Sequence, residues 1–324
     1  MAAHLATALT GRPGVTEEPG GLPAAVAELA RRLLREALGD DAGRTELQVI
    51  GARPDYWVIK ASAAGPQRTC VLKLAGPDAD QPVDFARTAA VIDLVRRTGT
   101  PAPHVVATGG GPTSGDFRWQ LLEHLPGTSW RSLAPQLDED DLDACQRQLA
   151  EALLRIQTVR FDAYGELDAD ARPVPAYGWF DGLCNRATAR IADDRHRAAV
   201  LELLERERAL LDDASPATLC HDDLHHDNVL FAHEGSGWRL TAVLDWDKAW
   251  SADRMCDVAR MAFWDHMTGP AFWSVYRSAM PAGDRDSRRA RIYQLLWCLE
   301  YVVDTPRHRA DTAHLAARLG VRLD

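Results

Sequence analysis

The residues best placed to do chemistry lie in one short segment, from Leu219 to Phe231, which reads LCHDDLHHDNVLF. Within it, His221, Asp223 and Asn228 have the spacing H-x-D-x-x-x-x-N. An apolar segment follows after a turn that contains glycine, and it ends at Asp245 in the order Asp-Trp-Asp. Two carboxylates and an amide are thus expected on two neighbouring segments, where they could bind a cation and accept a proton.

These three side chains suit phosphoryl transfer, which needs positioning and charge neutralisation more than covalent help from the protein. The Asp223 carboxylate can meet an attacking hydroxyl and take its proton. The Asn228 amide and the Asp245 carboxylate can hold Mg²⁺, which prefers oxygen ligands and leaves positions for phosphates and water. The spacing therefore predicts a kinase catalytic loop. The chain has only one other asparagine, Asn185. An asparagine at the position that the motif requires is therefore not explained by a high asparagine content.

Two other interpretations of the same segment stay open. Its aspartates could form a solvated acidic loop in which Asn228 is a turn residue. Its histidines and aspartates could instead bind zinc in a hydrolase, since imidazole and carboxylate both suit that metal. The zinc interpretation leaves Asp245 and the N-terminal half of the chain without a role.

Length and composition indicate a globular protein of two domains or lobes. The 324 residues are 46% hydrophobic and 26% charged, and the formal net charge is −10. That charge argues against nucleic acid or an anionic membrane as a partner. No apolar run is long enough to span a bilayer, and no signal-peptide pattern is present. The six cysteines are far apart and include no C-x-x-C pair, which predicts reduced thiols and a cytoplasmic location.

The elements before the loop predict a nucleotide-binding sheet. Three β-branched or aromatic runs, Leu47–Ile50, Trp57–Ser62 and Thr69–Leu74, predict an antiparallel meander. The apolar spacing from Val83 to Arg97 predicts a helix after them. Lys73 lies on the third run and is one of only three lysines. A kinase needs a lysine at this point to reach the nucleotide phosphates, whereas an edge-strand lysine in solvent is the simpler alternative.

The predicted fold class is α+β, a protein-kinase-like two-lobed fold. It has a small N-lobe of antiparallel sheet plus helix and a larger, mainly helical C-lobe. Residues 1–23, rich in Gly, Ala, Thr and Pro, are expected to be a flexible tail. Residues 24–125 would form the N-lobe and residues 126–324 the C-lobe. Glu123 and Leu125 lie where the lobes would join, and their backbone groups are expected to pair with the adenine edge.

The chain resembles the aminoglycoside phosphotransferase family, relatives of protein kinases that phosphorylate small molecules. The resemblance runs from about residue 47 to residue 301 and is strongest in two segments. Residues 221–228, HDDLHHDN, are similar to the family's HGDLHPGN loop, and residues 243–247, VLDWD, are similar to its VIDWE strand. Asp253 and Asp257 match the family's continuation G-D-x-x-x-D-L-A.

The resemblance implies a role for each matching residue. Asp223 would be the catalytic base, His225 would lie near the γ-phosphate, and Lys73 would bind the phosphates of ATP or GTP. Asn228 and Asp245 would bind Mg²⁺. The implied reaction transfers a γ-phosphoryl group to a hydroxyl of a small molecule, above all an antibiotic, and so causes resistance by inactivation. The alternatives are a small-metabolite kinase of the choline or homoserine type, or a catalytically inactive kinase-like binding protein.

Three positions depart from the family pattern. Asp222 stands where the family has glycine, which predicts an extra charge beside the base. Thr88 stands near the place of the helix glutamate that pairs with the phosphate lysine, and Asp84, one turn earlier, is a candidate replacement. The first turn, Gly51–Tyr56, has a single glycine and is not a glycine-rich phosphate loop.

The sequence predicts less specific roles for four further carboxylates. Asp247 could approach a second metal or the acceptor. Asp181, Asp265 and Glu300 could recognise cationic groups of an acceptor, although exposed carboxylates in solvent are the simpler interpretation.

Overall fold

The computed structural model describes residues 22–39, 45–62, 69–79, 83–110, 116–214, 216–235, 237–301, 303 and 305–323. The expected tail over residues 1–23 therefore lies outside the described residues except for its last two positions. Helix α1 (Ala24–Leu38) begins directly after them.

The smaller lobe is built on a five-stranded antiparallel sheet with the spatial order β1-β2-β3-β5-β4. Its strands are β1 (Glu46–Arg53), β2 (Tyr56–Ser62), β3 (Thr69–Ala75), β4 (Val105–Gly109) and β5 (Arg118–Glu123). Alternation along the strands sends apolar side chains to one face, where Ile59 and Leu72 are buried with Leu33 of α1. The predicted antiparallel meander of the first three strands is confirmed.

The turn between β1 and β2 consists of Pro54 and Asp55 and contains no glycine. Asp55 adopts a left-handed φ of 52°. Its carboxylate accepts a hydrogen bond of 2.8 Å from the backbone N–H of Asp78, and its carbonyl oxygen accepts one of 2.8 Å from Gly76. Gly51 lies inside β1 and not in the turn. The hairpin tip is thus fastened to the end of β3 instead of forming a glycine-rich loop.

Helix α2 (Phe85–Arg97) follows the sheet, as predicted. It begins after Asp84, whose exposed carboxylate accepts a hydrogen bond of 3.0 Å from the backbone N–H of Arg87. This is an N-cap, which satisfies one of the free donors of the first turn. The hypothesis that Asp84 replaces the helix glutamate is therefore wrong, because its side chain is committed to the cap.

The larger lobe is mainly helical. Its helices are α3 (Trp130–Leu133), α4 (Glu139–Ile156), α5 (Trp179–Arg190), α6 (Asp194–Arg206), α7 (Arg208–Asp212), α8 (Met255–Met261), α9 (Pro270–Ala279), α10 (Asp284–Glu300) and α11 (Pro306–Leu319). Helices α5 and α6 are separate. Ile191 leaves the helical conformation, and Asp193 then caps a new helix by accepting from the N–H of His196. In the described ranges, no helix combines the length and the apolar character needed to cross a bilayer.

Two small sheets carry the segments that hold the motif residues. The first has the order β10 (Gly237–Val243), β9 (Val229–Glu234), β6 (Thr128–Ser129), and the second has the order β7 (Gly165–Glu166), β11 (Trp250–Ala252), β8 (Thr218–Cys220). The loop of residues 221–228 connects β8 to β9, and residues 244–249 connect β10 to β11. The two segments lie side by side, since the N–H of Leu244 donates to the carbonyl oxygen of Asn228 at 2.8 Å.

Candidate active site

A buried aspartate of α8 fixes the backbone of the motif loop. The Asp257 carboxylate accepts the N–H groups of His221 and Asp222 at 2.8 and 2.9 Å. Burial raises the pKa of Asp257 to about 6, although these two N–H groups favour the ionised form. His221 continues the network, because its Nδ1 accepts the N–H of Asp223 at 3.2 Å and its Nε2 lies 2.7 Å from the carbonyl oxygen of Leu244. The histidine of the motif therefore joins the two segments.

Asp222 is turned into the larger lobe. Its φ of 63° lies in the left-handed region, which glycine adopts without strain, and the family has glycine at this position. Its carboxylate contacts the buried Arg186 guanidinium at 3.0 Å, and Arg186 also binds Glu300 at 2.5 and 2.8 Å. The expected extra charge beside the base is therefore neutralised in the interior.

The ion pairs of Arg186 bear on the prediction that acidic residues of the larger lobe recognise a cationic acceptor. Glu300 is 1% exposed at its side chain and is committed to Arg186, so it is not available to recognise a cationic acceptor. Asp181 and Asp265 are exposed, and their role in acceptor recognition stays a prediction.

Asp223 lies between two cations. Lys248 Nζ donates to its Oδ2 and Arg260 donates to its Oδ1, each at 2.7 Å. Burial alone would raise the pKa of Asp223, but the two cations outweigh it and hold the pKa well below its usual range. The carboxylate is therefore ionised at neutral pH. Sequence reasoning missed both partners. The only signal for Lys248 is the scarcity of lysine, and nothing in the spacing points to Arg260.

Asn228 is held by the loop that contains it. Its Nδ2 donates to the carbonyl oxygen of Asp223 at 2.9 Å and lies 3.2 Å from Nε2 of His225. His225 is 4% exposed, and burial lowers its pKa to about 4, so its ring is neutral at neutral pH. The structure thus gives His225 a supporting contact to Asn228. Its expected approach to the γ-phosphate stays a prediction.

The candidate zinc ligands are close together but already engaged. Ligand atoms of His225, His226 and Asp227 lie within 4.8 Å of one another. However, both carboxylate oxygens of Asp227 accept hydrogen bonds from the Arg131 guanidinium. Trp264 packs against the two imidazole rings at centroid distances of 5.4 and 4.6 Å. These contacts account for the cluster as packing and an ion pair, which disfavours the zinc interpretation.

Lys73 meets both carboxylates of the Asp-Trp-Asp segment. Its Nζ lies 2.7 Å from Oδ1 of Asp245 and 2.9 Å from Oδ2 of Asp247. Burial alone would lower the pKa of Lys73, but these carboxylates outweigh it and raise the pKa well above its ordinary value. Asp247 also accepts a hydrogen bond of 3.2 Å from Thr88. The residue in the place of the helix glutamate therefore contacts the carboxylate that pairs with the lysine.

Asp245 and Asn228 provide the oxygen donors for a cation. Asp245 has a left-handed φ of 63°, and 44% of its side chain is exposed. Because Asn228 uses its nitrogen to bond the loop, its amide oxygen is the atom left to bind a ligand. Lys73 lowers the pKa of Asp245 below its usual range against the opposing effect of desolvation. An ionised carboxylate and an amide oxygen are a donor set that fits Mg²⁺.

The backbone N–H groups of Glu123, His124 and Leu125, between the lobes, are used differently. The N–H of Glu123 bonds the carbonyl oxygen of His104 at 2.9 Å, and the N–H of His124 bonds that of Thr69 at 3.3 Å. Within the described part of the chain, the N–H of Leu125 has no such bond. Of the two residues predicted here, Leu125 therefore keeps a free donor, whereas the N–H of Glu123 is used by the sheet.

The chain matches the phosphotransferase enzyme family over residues 49–293, and it belongs to that family. It is therefore a small-molecule phosphotransferase, that is, a kinase. No curated protein matches the sequence.

Solved structures of other kinases share the fold. Aminoglycoside phosphotransferase APH(4)-Ia superposes with a TM-score of 0.64 at 21% identity, over 91% of this chain and 97% of that chain. A streptomycin–ATP complex of APH(2")-IIa gives a TM-score of 0.59 at 16% identity, over 90% and 96%. Ethanolamine kinase from Plasmodium vivax gives 0.57 at 13% identity, over 92% and 89%. The predicted kinase-like two-lobed fold is confirmed.

Proposed function

We propose that the protein transfers the γ-phosphate of ATP or GTP to a hydroxyl of a small molecule in a Mg²⁺-dependent reaction. One observation carries the proposal. The buried, ionised Asp223 lies in the same loop as Asn228, and the neighbouring segment brings Asp245 into contact with Lys73. A proton acceptor, a pair of cation ligands and a phosphate-binding cation are the parts that phosphoryl transfer requires.

Asp223 is proposed to receive the acceptor hydroxyl. Because Lys248 and Arg260 stabilise its charge, the carboxylate is always ready to accept a hydrogen bond, but it is a weak base. A weak base suits a loose transition state, in which the attacking oxygen loses its proton late. The main contribution of Asp223 is therefore to orient the hydroxyl, and it accepts the proton as the new bond to phosphorus forms.

Lys73 and the segment between the lobes are proposed to bind the nucleotide. The Lys73 ammonium would contact the phosphates as a point charge, and the N–H of Leu125 and the carbonyl group of Glu123 would meet the adenine edge. APH(4)-Ia has been solved with AMP-PNP and hygromycin B, and APH(2")-IIa with ATP, which favours ATP as the donor. We assign residues 24–125 to the lobe that carries these groups and residues 126–324 to the other.

Asn228 and Asp245 are proposed to hold Mg²⁺. When bound, the ion would neutralise charge on the phosphates of the nucleotide. The ionised state of Asp245 and the exposure of its side chain leave it ready for this task. His225 helps to position Asn228, because its Nε2 lies 3.2 Å from the Asn228 Nδ2. Any contact of His225 with the γ-phosphate would be made by a neutral ring.

The acceptor is proposed to be an antibiotic, so that phosphorylation causes resistance. Two of the three similar structures above are aminoglycoside phosphotransferases. The third is an ethanolamine kinase, which supports a small-metabolite acceptor as the second candidate. The presence of Asp223, Asn228, Asp245 and Lys73 at one site disfavours an inactive binding protein. Six free cysteines and the proposed use of ATP support a location in the cytoplasm.

The test is phosphoryl transfer by the purified full chain with Mg²⁺ and ATP or GTP. Hydroxyl-bearing antibiotics and small metabolites would be offered as acceptors, and mass spectrometry would detect a product that carries one phosphate. We expect Asp223→Asn to lower kcat by roughly 10²- to 10⁴-fold. Asp140→Asn, which changes an exposed carboxylate in the first turn of α4, is the matched control. Equal turnover by Asp223→Asn and wild type would overturn the proposal.

A further inference from the structure

Lys73 has two carboxylate partners whose surroundings differ. Asp245 has 44% of its side chain exposed, and Lys73 is its only side-chain partner among the described residues. The side chain of Asp247 is 17% exposed. A lysine that binds phosphates needs one carboxylate that stays with it, because an ammonium that loses all partners in a buried site is costly.

Residues from three elements of the smaller lobe, β2, β3 and α2, donate hydrogen bonds to Asp247. Its Oδ2 accepts from Lys73 of β3 at 2.9 Å and from the Tyr56 hydroxyl of β2 at 3.4 Å. Its Oδ1 accepts from Thr88 of α2 at 3.2 Å. Its backbone carbonyl oxygen accepts from the Arg87 guanidinium, also on α2. Every one of these partners belongs to the sheet or helix of the smaller lobe, although Asp247 itself lies on the segment after β10.

We infer that Asp247 is the positioning residue that holds Lys73 for the nucleotide phosphates, in the role for which the family uses a helix glutamate. Asp245 is then free to leave Lys73 and bind the cation. The inference rests on the proposed function, and it assigns the two carboxylates of one Asp-Trp-Asp segment to two different tasks. Thr88 is part of the same arrangement, since a glutamate at position 88 would occupy the place of the Asp247 carboxylate.

This arrangement also ties the orientation of the lobes to the lysine. A glutamate on α2 would connect two elements of the smaller lobe, whereas Asp247 connects β3 and α2 to the segment that carries Asp245. The position of Lys73 therefore depends on a residue of the segment that also carries Asp245. Loss of the Asp247 carboxylate is expected to loosen both the lysine and this contact.

The first experiment measures nucleotide affinity with a fluorescent ATP analogue on the full chain, which requires no turnover. We expect Asp247→Asn to weaken binding about tenfold, because the uncharged amide no longer holds the ammonium of Lys73. Asp84→Asn, which removes an exposed carboxylate one turn before Thr88, is the control and should bind as wild type does. Thermal unfolding of both variants would establish that the fold is retained.

The second experiment is a rescue that a merely structural role would not produce. Asp247→Ala removes the carboxylate, and Thr88→Glu added to it supplies one from α2. We expect the double variant to recover most of the lost affinity, whereas Thr88→Glu alone should impair binding by placing two carboxylates together. Wild-type affinity in Asp247→Asn, or no recovery in the double variant, would overturn the inference.

The two proposals fail in different ways. If Asp223→Asn keeps full turnover, the proposed reaction is wrong whatever the Asp247 variants do. If Asp223→Asn is inactive and Asp247→Asn binds nucleotide as wild type does, only the role of Asp247 is wrong. In steady-state kinetics, the expected signature of Asp247→Asn is a raised KM for the nucleotide with little change in the KM for the acceptor.

Discussion

The ammonium of Lys248 lies 2.7 Å from the Asp223 carboxylate and remains 30% exposed at its side chain, whereas Arg260, on the other carboxylate oxygen, is 1% exposed. Arg260 is thus a permanent partner enclosed by the fold. Lys248 is the more exposed of the two, and its Nζ also lies 5.2 Å from the centre of the Tyr301 ring. Both cations lower the pKa of Asp223, but of the two only Lys248 is appreciably exposed to solvent.

Lys248→Met is expected to lower kcat/KM by at least about tenfold, since it removes a positive charge from the site where negative charge moves. It also removes a cation that lowers the pKa of Asp223, so that pKa should rise. As the pH falls, Asp223 of the variant is then protonated at a higher pH than Asp223 of the wild type. Activity should therefore be lost at a higher pH than in wild type. A pH–rate profile on the acid side measures this shift.

The control for this variant is Lys60→Met, on β2, which removes one of the chain's two other lysines without touching Asp223. Lys248→Arg should keep the profile close to that of wild type. An unchanged acid limb in Lys248→Met would show that Arg260 alone sets the charge of the base.

Arg186→Met is expected to destabilise the protein by roughly 3–5 kcal/mol. It leaves Asp222 and Glu300, each 1% exposed, with only the longer contacts of 3.8 and 3.9 Å to Arg190. Urea unfolding measures the change. The control is Arg285→Met, which breaks an ion pair with Asp213 whose side chains are 60% and 70% exposed; such exposed pairs contribute about 0–1 kcal/mol. Equal losses in the two variants would mean that the buried pairs carry no special cost.

Leu125→Pro is expected to raise the KM for the nucleotide roughly two- to tenfold, which corresponds to the loss of one hydrogen bond. Proline removes the backbone N–H that is proposed to meet the adenine edge. Leu125→Ala keeps this N–H and is the matched control, so it should have a KM near that of wild type. If both variants bind nucleotide alike, Leu125 makes no backbone contact to the base.

Removal of Mg²⁺ with a chelator should abolish phosphoryl transfer, and added Mg²⁺ should restore it. Asn228→Ala removes one proposed oxygen ligand, so the Mg²⁺ concentration needed for half-maximal activity should rise about tenfold or more. Asn185→Ala changes the chain's only other asparagine, an exposed residue of α5, and should titrate as wild type does. A magnesium titration that is the same for both variants would remove Asn228 from the cation site.

Local patterns predicted the parts of this protein that depend on neighbours in sequence. The spacing of His221, Asp223 and Asn228 is a property of one loop between two short strands, and the loop has that form in the structure. Strands and helices with clear apolar periods were predicted close to their observed bounds. The break between α5 and α6 depends on the local cap at Asp193, which accepts from the backbone N–H of His196.

Contacts between distant residues could not be read from these patterns. The sequence by itself determined the enzyme class and the residues of the loop, because reaction chemistry restricts which side chains can stand at which spacing. Only the tertiary structure decided which carboxylates pair with which cations. Asp222 and Asp223 are adjacent and chemically identical, but a left-handed backbone turns one towards Arg186 and leaves the other with Lys248. Lys73 likewise finds Asp247, 174 positions away, because the packing of the lobes and not the spacing along the chain brings them together.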